Sequence, residues 1–314
     1  MGKIAFLFPG QGSQAIGMGK LFCDASSVAR DIFKRADNVL GYSLSRLCIE
    51  GPEEKLRLTQ NTQPALLAVS TIAHTLLGEI PNIAAGHSLG EYSALVAAGS
   101  LSFDDAVYLV HKRGCYMQEA VPVGVGAMAA LLGASYVDVE EALSKISSGV
   151  VEIANWNSRE QIVIAGHEQA VKEVLTLINP RRSVMLPVSA PFHCQLMRSA
   201  EDKLALDLNA MEFQDLAFPI VTNVDAKVIH SGEEARESLK RQVTQTVLWF
   251  KSMEVMAEQG IQAFMELGSG KVLSGLIKRI SREWPSAPMV FNVDDMESLE
   301  IVKKALLVTN QSSE

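Results

Sequence analysis

The segment that most limits what this chain can fold into is GHSLG at residues 86–90. The apolar run at 83–87 predicts a short buried strand, and the run at 89–98 predicts a helix. Small residues at both ends of the segment let a strand and a helix approach closely, in a tight turn that exposes the Ser88 hydroxyl. The segment therefore predicts an α/β protein with a nucleophilic serine; the alternative is a serine that merely caps the helix.

The remaining chain predicts a mainly parallel sheet with helices on both faces. KIAFLF at residues 3–8 predicts a buried strand that stops at a Pro-Gly turn, and helical patterns follow to about Leu77. Longer alternating elements return after Val188, among them FPIVTNV and QAFMEL. Strands that alternate with helices are typical of α/β folds. We expect residues 1–123 and 191–314 to form one large subdomain.

Residues 124–190 have a different pattern, which predicts a smaller inserted subdomain. The predicted strands are 125–132, 150–154, 161–165 and 183–188, and the predicted helices are 135–146 and 168–178. The turn-rich stretch 155–159 is expected to join the two middle strands. The order β-α-β-β-α-β is the ferredoxin-like arrangement. On pattern alone, these elements could instead extend the main sheet; an insertion would leave a cleft between two units.

Charge and cysteine usage exclude several classes of function. The chain has 28 Lys and Arg against 36 Asp and Glu, a net charge of −8, and its basic residues cluster only in doublets. Nucleic acids and anionic membranes are therefore poor partners. The four cysteines lie far apart, so we expect free thiols and no metal site. The apolar runs at 4–8 and 65–77 are too short for a signal peptide or a membrane span, which favours a cytoplasmic enzyme.

A serine nucleophile needs a base, and His193 is the candidate on position alone. It stands where the inserted unit rejoins the large one, so it can face the cleft. His87 adjoins Ser88 in the turn and should point elsewhere. His74 and His111 lie within helical patterns, where structural histidines are the default. His167, which we place at the start of a helix, is read in the same way.

Arg113 is an unusual residue for the helix predicted from Phe103 onward. At 100° per residue it falls on the apolar face beside Met117, whereas Lys112 falls on the opposite side. A guanidinium on an inward face needs an anion, and its planar fork suits a carboxylate. The alternatives are an internal salt bridge, for example with Glu119, or extension of the side chain to the helix edge.

Seven motifs in order along the chain resemble those of the malonyl-CoA:acyl carrier protein transacylases, the stand-alone acyltransferases of bacterial fatty acid synthesis. They are FPGQGSQ at 8–14, TQPALLA at 62–68, GHSLGEYSALVAAG at 86–99, KRGCYMQEAVP at 112–122, PFHC at 191–194, RQVTQTVLW at 241–249 and GSGKVLSGL at 268–276. The resemblance covers nearly the whole chain. One local departure is Gly268-Ser269-Gly270, where the family usually has Gly-Pro-Gly.

The resemblance implies an α/β-hydrolase-like large subdomain with a ferredoxin-like insertion, in agreement with the patterns above. It also implies the site. Ser88 would carry the acyl group and His193 would be its base, with the main-chain carbonyl of Gln242 in place of the usual triad acid. Arg113 would bind the carboxylate of the substrate, and the backbone amides of Gln11 and Leu89 would form the oxyanion hole. We also expect Met117 and Phe192 to line the acyl site.

The function that follows is a ping-pong transfer of a malonyl group from malonyl-CoA to the phosphopantetheine thiol of an acyl carrier protein. We expect coenzyme A as part of the substrate, no cofactor and a monomer. A serine hydrolase such as a thioesterase would share the serine and the base but pass the acyl group to water. A third class is a non-catalytic subunit that binds the carrier protein, against which Ser88, His193 and Arg113 argue.

Overall fold

The computed structural model describes residues 2–122, 124–178, 180–188 and 190–311. Val123, where we place the first subdomain boundary, and Ser189, beside the second, lie outside the described residues. The strands are β1 Lys3–Phe8, β2 Ile83–Gly86, β3 Gly126–Leu132, β4 Val151–Ser158, β5 Gln161–His167, β6 Arg182–Met185, β7 Ile220–Val221, β8 Val228–Ile229, β9 Ile261–Leu267 and β10 Met289–Val293.

Helices connect these strands on both sides of the larger sheet. They are α1 Lys20–Ala25, α2 Ser27–Leu40, α3 Leu44–Glu50, α4 Glu53–Leu56, α5 Thr59–Leu77, α6 Gly90–Ala97, α7 Phe103–Glu119, α8 Tyr136–Ser144, α9 Glu168–Ile178, α10 Arg198–Ala210, α11 Gly232–Gln242, α12 Trp249–Glu258, α13 Val272–Ile280 and α14 Met296–Gln311. Short 3₁₀ helices span Gln195–Met197 and Ser281–Glu283. Nowhere in the described residues is a helix both long enough and apolar enough to cross a membrane.

The larger sheet has six strands in the order β10-β9-β1-β2-β7-β8. All neighbours pair in parallel except β7 and β8. Side chains alternate across a strand, so β1 contributes to two cores. Phe6 and Phe8 pack in the core under α5 and α7, whereas Ala5 and Leu7 pack on the opposite face with α12 and α13. The α/β class predicted from the sequence is confirmed.

The second sheet is antiparallel, with four strands in the order β4-β5-β3-β6. One of its faces is covered by α8 and α9, against which Ala129, Leu131 and Ile164 are buried. The alternate residues Met128 and Ala130 of β3 pack instead in the core of the large sheet. This sheet therefore lies against the larger one with apolar side chains on both faces.

Two expectations about local structure were wrong. Residues 155–158 form part of β4 and not a turn, because bulges in the β4–β5 pairing and hydrogen bonds between β4 and Val247 hold them extended. His167 does not begin a helix; it ends β5, and its Nδ1 accepts a hydrogen bond from the amide of Val150. In FPIVTNV only Ile220–Val221 is a strand.

Candidate active site

Ser88 lies in the turn between β2 and α6, at the carboxyl edge of the larger sheet. Its φ of 52° is left-handed, a conformation that costs a residue with a side chain about 1–2 kcal/mol. The turn is tight because glycines flank it: a Cβ at Gly86 would lie 1.8 Å from the backbone of Gly90, and one at Gly90 would lie 2.0 Å from the carbonyl oxygen of Phe8. The Ser88 side chain therefore stands clear of both elements.

His193 meets Ser88 from the segment that follows the smaller sheet. Its Nε2 is 2.7 Å from Ser88 Oγ, and its Nδ1 is 2.8 Å from the main-chain oxygen of Gln242. A carbonyl oxygen can only accept, so Nδ1 carries the proton and Nε2 offers its lone pair to the serine hydroxyl. This is the tautomer that a general base requires.

The imidazole of His193 is buried, and this sets its protonation state. Burial, followed by the positive charge of Arg113, lowers the pKa of His193 to about 3. The ring is therefore neutral near pH 7 and can receive the Ser88 proton. No carboxylate stabilises the imidazolium through Nδ1, because the partner there is the neutral carbonyl of Gln242.

Arg113 reaches the same hydroxyl from α7. The side chain is 2% exposed, and it donates hydrogen bonds to Gln63 Oε1 at 2.8 Å, Ser88 Oγ at 3.0 Å and Gln242 Oε1 at 2.9 Å. All three acceptors are neutral, and its Nε finds no partner among the described residues. The alternative of a salt bridge with Glu119 is wrong, because Glu119 pairs with Lys203 at 3.2 Å.

The amides of Gln11 and Leu89 flank the turn. Gly10 packs against it so closely that an added Cβ would lie 2.4 Å from the carbonyl oxygen of His87, which brings the Gln11 loop beside Ser88. Leu89 directly follows Ser88 and precedes α6. Neither amide donates a hydrogen bond to an acceptor within the described part of the chain. Both N–H groups thus have no acceptor among the described residues and belong to segments that adjoin the Ser88 turn.

Met117 and Phe192, the two predicted acyl-site residues, are 2% and 7% exposed. Met117 Sδ is 3.7 Å from Nε2 of Gln63, the residue whose Oε1 accepts from Arg113. Phe192 packs in the main apolar core immediately before His193. Met117 therefore contacts a partner of Arg113, Phe192 is next to His193 in sequence, and both side chains contribute to the core.

Sequence reasoning missed several residues of the site. Asn223 Oδ1 accepts the Ser88 amide at 2.6 Å, and Glu91 accepts from Gln242 Nε2 at 2.7 Å. Glu91 had a sequence signal, as an acid within an apolar helix of the GHSLGE motif. Asn223 had none, because only the fold shows that it follows β7, the strand beside β2. His87 turns away from Ser88 as expected, to Asn157 Oδ1 at 2.8 Å.

No group of three or more His, Cys, Asp or Glu side chains suited to a metal ion occurs within the described ranges. The groups with chemical potential at this site are thus a serine hydroxyl, a neutral imidazole, a buried guanidinium and two free backbone amides. Together they could form an acyl ester on serine and hold a carboxylate nearby.

Comparison with known proteins places the chain among acyltransferases. Residues 5–305 match the family model described as an acyl transferase domain. The malonyl CoA-acyl carrier protein transacylase of Escherichia coli K12 is 46% identical over 288 residues, which cover 89% of this chain and 93% of that protein. The protein of the same name from Bacillus subtilis strain 168 is 42% identical over 321 aligned positions, covering 100% of both chains. A solved structure of a type II PKS acyl-carrier protein in complex with its malonyl-transacylase matches with a TM-score of 0.93 at 41% identity, covering 96% of this chain and 99% of that one.

Proposed function

The chain belongs to the acyl transferase domain family, and on that premise we propose that it transfers a malonyl group from coenzyme A to the phosphopantetheine thiol of an acyl carrier protein. The intermediate is a malonyl ester on Ser88, and the reaction supplies fatty acid synthesis. The three named relatives support the substrates, because each is called a malonyl transacylase of an acyl carrier protein.

One observation carries the choice of a malonyl group: a buried arginine with only neutral acceptors lies 3.0 Å from the candidate nucleophile. A buried cation is costly without an anion, and its fork matches a carboxylate. Malonyl-CoA has a free carboxylate two bonds beyond its thioester carbonyl carbon. Arg113 can therefore bind that group while Ser88 attacks the thioester.

The first half of the reaction is acylation of Ser88. His193 Nε2 takes the proton of the hydroxyl as Oγ bonds to the thioester carbon. The negative charge that develops on the carbonyl oxygen is held by the amides of Gln11 and Leu89. The C–S bond then breaks, and the proton on His193 passes to the departing thiolate of coenzyme A.

The second half reverses these steps with a different thiol. The phosphopantetheine thiol of the carrier protein gives its proton to His193 and attacks the malonyl ester carbon. The same two amides stabilise the second oxyanion. The Ser88 Oγ leaves with the proton from His193, so the free enzyme is restored without a net change in protons.

We propose the same subdomains as before, an α/β-hydrolase-like part at 1–123 and 191–314 and a ferredoxin-like part at 124–190. The strand order β4-β5-β3-β6 supports the second assignment, since it is the order in which a ferredoxin-like unit places its strands. A cytoplasmic location is supported by four cysteines that are all free.

Ser88→Ala tests the function most directly. After incubation with malonyl-CoA, intact mass spectrometry should detect a malonyl adduct on the wild-type protein and none on this variant. Ser93→Ala is the matched control, because Ser93 is a buried serine of α6, the helix after Ser88, and its hydroxyl has no hydrogen-bond partner among the described residues. A full-occupancy adduct on Ser88→Ala would refute the assignment of the nucleophile.

Adding holo acyl carrier protein to the adduct separates transferase from hydrolase. A transferase should keep the adduct in buffer and lose it when the carrier protein is added, with malonyl appearing on the carrier. Rapid release of free malonate in buffer alone would instead identify a serine hydrolase.

A further inference from the structure

Glu91 is a buried carboxyl group in direct contact with the site. It lies three residues after Ser88 in α6 and is 1% exposed. Its Oε2 accepts from Gln242 Nε2 at 2.7 Å and from the amide of Asn223 at 3.1 Å, and its Oε1 accepts from Ser238 Oγ at 3.3 Å. The two N–H groups can only donate and both meet Oε2, so this oxygen is an acceptor, as in a carboxylate.

The contact between Glu91 and Asn223 connects Glu91 to the backbone of Ser88. A serine persists in a left-handed conformation only where its surroundings fix it. Asn223 does so, because its Oδ1 accepts the Ser88 amide at 2.6 Å and its Nδ2 donates to the Gly86 carbonyl at 2.7 Å. Glu91 holds Asn223 in turn through the Asn223 main-chain amide.

The contact between Glu91 and Gln242 connects Glu91 to His193. The side-chain amide of Gln242 lies between Glu91 and Arg113, with Nε2 toward the former and Oε1 toward the latter. A carboxylate only accepts and a guanidinium only donates, so these two partners permit one orientation of the amide. Gln242 Nε2 also donates to the Ser88 carbonyl at 3.1 Å, while the Gln242 main-chain oxygen receives His193 Nδ1.

From these contacts we propose that Glu91 is a positioning residue for acylation of Ser88: its carboxylate fixes Asn223 and Gln242, which hold the Ser88 turn and the acceptor of His193. The inference rests on the function proposed above. Glu91 touches none of the reacting atoms. It should therefore affect the rate of Ser88 acylation equally for an acyl group with a free carboxylate, such as malonyl, and for one without, such as acetyl.

Glu91→Gln is the variant that tests this role. At the Oε2 position the new NH₂ group would face the N–H donors of Gln242 and Asn223, and those contacts would break. At the Oε1 position it would face the Ser238 hydroxyl, which can turn to accept, and the neutral amide oxygen left for Gln242 and Asn223 would accept more weakly than a carboxylate. Glu266→Gln is the matched control. Glu266 is also 1% exposed and also accepts two donors, the amides of Leu273 at 3.0 Å and Ser274 at 2.7 Å, but it contacts none of Ser88, His193, Gln242 or Arg113.

The measurement is single-turnover acylation of Ser88 by malonyl-CoA and by acetyl-CoA, per folded protein. For Glu91→Gln we expect the maximal rate to fall by about 10²-fold with both substrates, the cost of a small misplacement of reacting groups. The acetyl-CoA concentration that gives half the maximal rate should not change. Glu266→Gln should lose thermal stability and keep its maximal rate.

Three results would overturn the inference: no loss with either substrate, a loss with malonyl-CoA alone, or an equal loss in Glu266→Gln. If Glu91→Gln does not fold, Asn223→Ala decides, because it removes the acceptor of the Ser88 amide. A slower maximal rate in Asn223→Ala supports the inference, and an unchanged rate refutes it. A wild-type protein that forms no malonyl adduct would refute the proposed function instead, which is a separate outcome.

Discussion

Arg113 and Ser88 share one hydrogen bond, and under the proposed function this contact would link substrate selection to chemistry at the scale of single residues. The guanidinium is 2% exposed and 3.0 Å from Oγ, so it also favours negative charge on the attacking oxygen. His193 supplies the opposite requirement, a neutral base, because burial and the Arg113 charge lower its pKa to about 3. The Arg113 cation therefore adds to the effect of burial in keeping His193 neutral, and it remains available for a carboxylate.

Arg113→Ala should change which acyl group is preferred. Removing the partner of the malonyl carboxylate should lower kcat/KM for malonyl-CoA by an amount that corresponds to about 2–5 kcal/mol of lost transition-state stabilisation. Acetyl-CoA has no carboxylate, so its kcat/KM should fall much less. The ratio of the two values is the quantity to measure, with Lys112→Ala, the neighbouring cation over the rings of Tyr108 and Tyr116, as control. Equal losses for both substrates would mean that Arg113 is structural.

The shifted pKa of Glu91 leads to a prediction about how folding stability depends on pH. Burial raises the pKa of Glu91 from 4.5 to about 7, and the hydrogen bonds from Gln242, Asn223 and Ser238 oppose this shift. The carboxylate that fixes Asn223 and Gln242 is therefore the form present above about pH 7. Between pH 4.5 and about 7 the Glu91 carboxyl is therefore protonated in the folded state and ionised in the unfolded state. Its contribution to folding stability is full below pH 4.5 and is lost as pH rises through about 7. The Tm of wild type minus that of Glu91→Gln should decrease over this range. The other titrating groups are the same in both proteins, so their effects cancel in this difference in Tm. A difference in Tm that does not change with pH would contradict the raised pKa of Glu91.

At the scale of elements, the packing of α6 on β1 and β2 depends on glycine. Gly90→Ala would place a Cβ 2.0 Å from the carbonyl oxygen of Phe8, and backbone atoms cannot move aside cheaply. We expect it to unfold the protein or to lower the Tm and abolish acylation. Gly275→Ala is the control: it lies within α13 with nothing within 4 Å of the added Cβ, and should stabilise by about 0.5–1 kcal/mol. Thermal unfolding of both variants checks the contrast, and a Gly90→Ala protein of normal Tm would contradict it.

The elements that the sequence predicted well are those whose pattern is local. The strand at 3–8 and the strand–serine–helix turn follow from apolar runs and glycine spacing, which act over a few residues. The extension of β4 to Ser158 depends on Val247, almost ninety positions away, so no local pattern reports it. Asn223 was missed for the same reason, and the carbonyl of Gln242 entered only through the resemblance. Contacts between distant segments are set by the fold as a whole.

At the scale of the whole molecule, the smaller sheet is fixed to the site at two places. Asn157 of β4 bonds to His87, directly before Ser88, and the amide of Trp156 donates to the carbonyl of Val247 at 2.9 Å, five residues after Gln242. His193 itself follows the last strand of this sheet. A displacement of the smaller sheet would therefore separate the base from the serine, which ties the two sheets into one functional unit.

Helix α13 and the loop before it contact both the larger and the smaller sheet region, and this is the surface where we expect the carrier protein to dock. In the loop before α13, Ser269 Oγ donates to the carbonyl of Ser13 at 2.7 Å, two residues after Gln11. Near the end of the helix, Arg279 Nη1 donates to Gln161 of β5 at 2.9 Å. Lys278 and Arg279 are both exposed. Acyl carrier proteins are acidic and this chain has a net charge of −8, so docking needs a local basic surface.

Lys278→Glu combined with Arg279→Glu should therefore raise KM for the carrier protein and weaken the dependence of KM on salt, because oppositely charged surfaces steer association. Acylation by malonyl-CoA should not change, since neither residue contacts Ser88, His193 or Arg113. Lys303→Glu combined with Lys304→Glu on α14 makes the same change in net charge at another helical doublet. Steady-state kinetics with both variants separate a docking surface from overall charge: an equal rise in KM would assign the effect to net charge, and no rise in the first variant would place the docking surface elsewhere.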